Sequence, residues 1–178
     1  MKESLFTVPN FRYELKDWEF KKKSLLRRLK PELFERDDRD FYFSDRGPNK
    51  NSYIHYLNDL LAHELDIFQK ESNCPCIITD AWTVKYNKGD HQTVHHHRSW
   101  GFSAILYVEF DSKYHEPTYF LCPWSIPEED LTFIGTPEVN EGTLFIFPSC
   151  IHHFATPNKS NKQRIILSFD LLPQSHYK

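Results

Sequence analysis

From Cys76 onward the chain is a succession of short β-forming runs, and no other feature narrows the available folds as much. "CIITDAWTVKY", "FSAILYVEF", "PTYFLC", "LTFIG", "GTLFIFP" and "RIILSFDLL" follow one another with turn residues between them and no helical periodicity. Such a series predicts an antiparallel sandwich or barrel, because each strand has an apolar face that only a second layer can cover. Fifteen Phe beside five Gly and one Met suit a stiff, aromatic β core. The Pro-bearing, acidic stretch "PWSIPEED" at 123–130 reads as a surface loop.

The first 73 residues read differently. "SLFTVPNFRYEL" at 4–15 mixes β-formers with a proline and predicts an edge strand running into a helix. Between Asp17 and Leu29 the apolar Trp18, Leu25, Leu26 and Leu29 lie among Lys and Arg, and Pro31 ends the segment. Residues 35–50 are charged and end at Gly47-Pro48, which marks a loop with a short strand at "FYF". Ser52 then caps a helix whose Ile54, Leu57, Leu60, Leu61, Leu65 and Phe68 keep helical spacing to about Lys70. His55 and His63 on it read as surface or packing residues. The expectation is one α+β domain over 1–178, with helical support over 1–73 packed against a β core over 74–173. A chain of 178 residues suits one core and is short for two.

Charge and cysteine usage exclude several partners. Net charge is -3, and the one basic run, "KKK" at 21–23, reads as a solvated helix face. Nucleic acid is therefore a poor fit as a partner. Cys74, Cys76, Cys122 and Cys150 form no paired CxxC knuckles and no secretory segment is evident, so they read as reduced thiols in a cytoplasmic protein. No apolar run approaches the roughly 20 residues that cross a bilayer, which leaves no membrane role.

The histidines concentrate in two places. "HQTVHHHRSW" at 91–100 precedes one β run, and "FPSCIHHF" follows another. In extended chain residues i and i+2 share a face, so His95 and His97 can converge on one ion while His96 points away. If the two clusters meet across the mouth of a double-sheet jelly roll, His152 or His153 supplies a third ligand. Three imidazoles with open positions suit a first-row transition metal, and the few carboxylates nearby argue against calcium or magnesium. A single histidine run is more often a solvated loop; two at strand ends of one β domain favour the ligand reading. Arg164, eleven residues after His153, opens a buried run, where it needs either an anionic ligand or an Asp or Glu partner.

In this order, "AWTVKYNKGDHQTVHHHRSWGFSAILYV", "GTLFIFPSCIHHFATPN" and "RIILSFD" resemble the iron(II)- and 2-oxoglutarate-dependent oxygenases, in particular a small bacterial and phage branch related to prolyl hydroxylases. The resemblance covers residues 77–171 and rests on the set: H-x-H, FPS followed by His, and Arg eleven residues on. It implies a double-stranded β-helix (jelly-roll) core that uses Fe(II), 2-oxoglutarate and O2. In that family a histidine two residues before an acid, or before a second histidine in some members, opens the metal site, and His95 and His97 fit this place. The distal histidine falls four residues after the serine of FPS, which selects His153. Arg164 matches the residue that grips the distal carboxylate of 2-oxoglutarate, and Tyr107 an aromatic position that bonds the same group. Two positions depart from the pattern: His97 stands where many members keep an acid, and Ile166 where the wider superfamily often has serine, leaving Ser168 as the nearest hydroxyl on the strand.

The implied activity is hydroxylation of a small-molecule or peptide substrate with release of succinate and CO2. His91, Arg98 and Trp100 flank the site as candidate substrate contacts, and Phe102 and Trp124 as candidate pocket lining. Two other readings are compatible with three histidines: a thiol dioxygenase that needs no oxo acid, and a non-catalytic metal-binding module on the same fold. Exposed aromatics in the N-terminal part would permit a homodimer.

Overall fold

Each of the six β runs contains a strand, and the chain shuttles between two sheets. The computed structural model describes residues 7–37, 41–46, 54–126 and 131–177. Its strands are β1 (Phe11–Glu14), β2 (Glu35–Asp37), β3 (Tyr42–Ser44), β4 (Cys76–Tyr86), β5 (Gln92–His95), β6 (Phe102–Glu109), β7 (Tyr119–Ile126), β8 (Leu131–Gly135), β9 (Thr143–Pro148), β10 (His153–Ala155) and β11 (Arg164–Pro173). A seven-stranded sheet has the order β1-β9-β6-β11-β4-β3-β2, and a four-stranded sheet the order β5-β10-β7-β8. From β4 to β11 the chain crosses between the sheets at nearly every step, which is the winding of a double-stranded β-helix, and all its pairings are antiparallel.

Period-two alternation divides the core into two layers. Leu167, Phe169 and Leu171 of β11, with Ala104 and Leu106 of β6 and Leu144 and Ile146 of β9, face the helices α1 (Trp18–Leu26), α2 (Ile54–Leu60) and α3 (Ala62–Glu71). Those helices answer with Leu25, Leu57, Leu65 and Phe68. Helices of this length are marginal in water, so burial against the sheet holds them, each fully buried Leu or Phe contributing about 1.5–3 kcal/mol. The opposite face carries Trp82, Val84, Tyr86, Ile105, Tyr107, Phe145, Phe147 and Ile166 into the space between the sheets. β11 is buried from Arg164 to Leu172, since both its faces are covered and both its edges paired.

Several expectations change in detail. The predicted helix to Lys70 is two helices that meet at Leu61, which leaves the helical region at φ -109°, ψ 12°; its Ser52 cap and Gly47-Pro48 lie outside the described residues. "PWSI", read as loop, continues β7 as far as Ile126, with Pro123 inside the strand, and residues 127–130 lie outside the described set. The N-terminal segment supplies strands as well as helices: β1 is an edge strand as expected, and β3 joins β4 near the expected "FYF". β5 and β10, which no run of β-formers announced, complete the smaller sheet. No helix among the described residues is long and apolar enough to cross a membrane.

Two glycines on the loops beside β5 and β6 separate backbone strain from steric clash. Gly89 (φ 87°) has open space where a Cβ would stand, whereas at Gly101 (φ 81°) a Cβ would sit 2.7 Å from the Leu171 carbonyl oxygen. Gly89→Ala should cost about 1–2 kcal/mol for the left-handed backbone alone. Gly101→Ala should cost more than about 3 kcal/mol, because the contact adds to the strain; urea unfolding of the two variants measures the difference.

Candidate metal centre

The register of the smaller sheet brings the two histidine clusters together. β10 pairs with β5 so that His153 lies opposite His95. Beyond His95 the chain leaves the sheet and is tied to the FPS turn: the His97 and Arg98 N–H groups donate to the Ser149 carbonyl at 3.0 and 3.4 Å, and the Ser149 N–H to Gly101 O at 3.0 Å. His97 thus faces the interior without belonging to a strand. The ligand atoms of His95, His97 and His153 lie within 4.8 Å of one another.

Hydrogen bonds assign the tautomer of all three rings. His95 Nδ1 faces Thr93 O at 2.8 Å, His97 Nδ1 faces Asp170 Oδ1 at 2.7 Å, and His153 Nδ1 faces Ile151 O at 2.9 Å. A carbonyl or carboxylate oxygen only accepts, so each Nδ1 carries the proton and each Nε2 keeps its lone pair. This is the arrangement of metal-binding histidines, in which an oxygen on one nitrogen orients the other toward the ion. Burial, then the neighbouring His95, pushes the His153 pKa well below the ordinary histidine value and keeps the ring in the neutral form a metal requires. Burial alone would raise the Asp170 carboxyl, but the hydrogen bonds from His97 and the Ser103 hydroxyl, with the Arg46 charge, outweigh it and hold the group below its usual value.

The other histidines stay apart. His96 and His152 are exposed and pair with each other, ring centroids 4.8 Å apart, on the outer side of the same strand pair. His91 stacks on Phe41 at 5.0 Å, away from the cluster. Of the remaining candidate contacts, Arg98 lies beside the site with Nε 3.7 Å from Asp170 Oδ2. Trp100 is exposed. Phe102 instead packs on Phe68 and Phe11 in the helix-facing core, and the Trp124 side chain lies outside the described set. Trp82, not singled out in the sequence, stands at 5.3 Å from the His97 ring with the Arg46 guanidinium 3.9 Å over it.

Further along the same inner face, Arg164 is 2% exposed. Its Nη1 donates to Glu116 O at 2.7 Å and its Cζ lies 4.1 Å over the Tyr86 ring. Nε and Nη2 are buried with no hydrogen-bond partner among the described residues. A buried guanidinium left in that state is costly unless an anion meets it. The Tyr107 hydroxyl accepts the Thr118 N–H at 3.2 Å, and burial raises its pKa. Ser168, Ile166, Thr118, Gln92 and Tyr86 line a cavity of about 10 Å³ with the three histidines. That is room for about one water. A second, apolar cavity of about 360 Å³ lies among Val8, Leu121, Phe145 and Ile151. Phe120 and Phe147 border it and pack on His153, with ring centroids 5.7 and 4.9 Å from the imidazole.

Residues 80–170, just over half the chain, match the family described as "Putative 2OG-Fe(II) oxygenase". No curated protein sequence matches. Among solved structures, a Pseudomonas putida prolyl-4-hydroxylase is similar at 16% identity, with 94% of each chain covered and a TM-score of 0.59. The viral collagen prolyl hydroxylase from Paramecium Bursaria Chlorella virus-1, in its 2OG complex, is similar at 14% identity, covering 91% of this chain and 94% of that one, TM-score 0.57. The non-haem alpha-ketoglutarate-dependent epimerase SnoN from nogalamycin biosynthesis gives a TM-score of 0.69 at 10% identity, covering 93% of this chain and 78% of its own. At these identities the likeness is one of fold.

The orphaned guanidinium can be probed without any ligand. Arg164→Met should leave the stability of the metal-free protein within about 1 kcal/mol of the parent in urea unfolding, since an apolar replacement of a poorly paired buried charge is near neutral. Had Arg164 been one half of a structural ion pair, the same change would cost about 3–5 kcal/mol.

Proposed function

The chain belongs to the 2OG-Fe(II) oxygenases, and on that premise we propose that it is a dioxygenase with Fe(II) held by His95, His97 and His153 and the distal carboxylate of 2-oxoglutarate held by Arg164. Its product is a hydroxylated small molecule or peptide, with succinate and CO2 released. The observation that carries this reading is the juxtaposition, in the space between the two sheets, of three clustered histidines whose Nδ1 atoms are engaged by oxygens and, on β11 of the larger sheet, a buried guanidinium with two N–H groups unpartnered among the described residues. Iron in such a site supplies the redox chemistry, coupling O2 reduction to decarboxylation of the oxo acid.

The residues of the chain supply the rest. The Thr93 and Ile151 carbonyls and the Asp170 carboxylate hold the three rings. Three protein ligands leave coordination positions open for a chelating oxo acid and O2. Arg164 offers Nε and Nη2 as a fork that matches carboxylate geometry. The Tyr107 and Ser168 hydroxyls are further donors for that carboxylate, both on the inward-facing parity of their strands. Trp82, Phe120 and Phe147 keep water from the imidazoles. The Tyr86 hydroxyl, donating to Gln92 Oε1 at 2.9 Å, ties the two sheets together at the wall of the small cavity beside the histidines. A three-histidine thiol dioxygenase would leave the unpartnered Arg164 without a purpose.

Anaerobic addition of Fe(II) and 2-oxoglutarate should produce the weak visible charge-transfer band of a chelated oxo acid; no band at saturating concentrations would overturn the reading. Arg164→Ala should weaken 2-oxoglutarate binding by about 10–100-fold, the worth of its charge-assisted hydrogen bonds, while Fe(II) affinity stays within about twofold. Fe(II) titrations should also separate the histidines: His95→Ala or His153→Ala should abolish tight binding, and His96→Ala should leave it intact.

A further inference from the structure

The three-histidine site proposed above is short of one negative charge. A non-haem Fe(II) centre of two histidines and a carboxylate offsets part of the dication with its acid, whereas three neutral imidazoles offset none of it. The three rings are not equivalent, however. His95 and His153 are oriented by neutral backbone carbonyls, those of Thr93 and Ile151. The His97 Nδ1–H instead meets a side-chain carboxylate, that of Asp170, at 2.7 Å.

Asp170 is built into the interior. It is 1% exposed and stands opposite Ser103 in the β6–β11 register. The Ser103 hydroxyl donates to Asp170 Oδ1 at 2.9 Å and is itself 2.9 Å from the Ser149 hydroxyl. Arg98 Nε approaches Oδ2 at 3.7 Å. A buried carboxylate costs several kcal/mol in desolvation. Orientation of an imidazole does not demand that cost, since a carbonyl suffices for the two other rings.

We infer that His97 and Asp170 act as one unit, in which the buried Asp170 carboxylate supplies through the imidazole the negative charge that a directly bound acid would bring. Asp170 is a positioning residue here: it touches neither the metal nor a substrate, and acts by orienting and polarising the His97 ring through the Nδ1–H hydrogen bond, which strengthens Nε2 as a metal donor. The inference rests on the three-histidine reading, and it assigns a purpose to a charge that packing alone does not require.

Metal affinity tests it without turnover. Co(II) dissociation constants are measured by chelator competition on the full chain, with a melting curve of each metal-free variant as the control for folding. Asp170→Asn keeps shape and an acceptor oxygen but not the charge, and should weaken Co(II) by about 10–100-fold. In a His97→Asp background, where an acid already faces the ion, the same Asp170→Asn change should cost less than about threefold. Ser103→Ala, which removes a hydrogen bond to Asp170 and leaves its charge, should also stay within about threefold, and gives a second readout should Asp170→Asn not fold. Asp170→Asn indistinguishable from the parent, or a tenfold loss in Ser103→Ala, would overturn the inference while the three-histidine site stands. Failure of the parent protein to bind Co(II) in a histidine-dependent way would overturn that site, and this inference with it.

Discussion

β11 is buried on both faces and paired on both edges, and the rest of the molecule is arranged around it. Its odd-numbered residues Leu167, Phe169 and Leu171 carry the layer of helices. Its even-numbered residues Arg164, Ile166, Ser168 and Asp170 line the space between the sheets. A strand so placed cannot shift by one residue without exchanging a hydrophobic layer for a polar one, so its register is held by the whole core. The position of the chemistry is therefore inherited from packing. β6, its neighbour, sets Ser103 against Asp170, and the helices on the other side cover its odd-numbered residues.

The second constraint is the short smaller sheet. β5 and β10 have four and three residues, too few to be held by their own pairing. The carbonyl of Ser149, which receives two N–H groups from residues 97 and 98, locks the turn after β9 to the turn after β5. The third histidine thus depends on backbone hydrogen bonds rather than on strand alternation, and its ring is directed by Asp170.

Much of this was legible in the sequence, and the exceptions have physical causes. Six β runs, the edge strand and the N-terminal helices were visible because apolar periodicity is a direct consequence of burial. His95, His97 and His153 come together, with His96 and His152 turned outward; spacing had left His152 and His153 open and the resemblance chose between them, and His97 reaches the cluster through the Ser149 hydrogen bonds rather than through strand alternation. β5 and β10 were invisible, since "QTVH" and "HFA" are too short and too polar to show a pattern. "PWSI" was mistaken for a loop because a proline was taken as a breaker, although it stands within β7. The helix break at Leu61 leaves no trace in composition, as leucine favours continuation. Asp170 was passed over as part of an apolar run, although strand parity puts it on the same face as Arg164 and Ser168.

The charges of that face close into a balance. In the proposed loaded site the iron is a dication, Asp170 an anion and Arg164 a cation, so a net charge of a dication remains within a buried space. Arg46 and Arg98 are half-exposed and answer to solvent as well as to Asp80 and Asp170. 2-Oxoglutarate at neutral pH is a dianion, and its entry brings the sum to neutrality. A buried cavity discriminates strongly on net charge, because unbalanced charge there is paid in desolvation. The same arithmetic disfavours monoanionic oxo acids, which would leave a cation behind, and makes metal and co-substrate mutually reinforcing ligands. In the proposed site, with His97 as a ligand, the balance is kept by the Asp170 carboxylate, which stands one hydrogen bond further out.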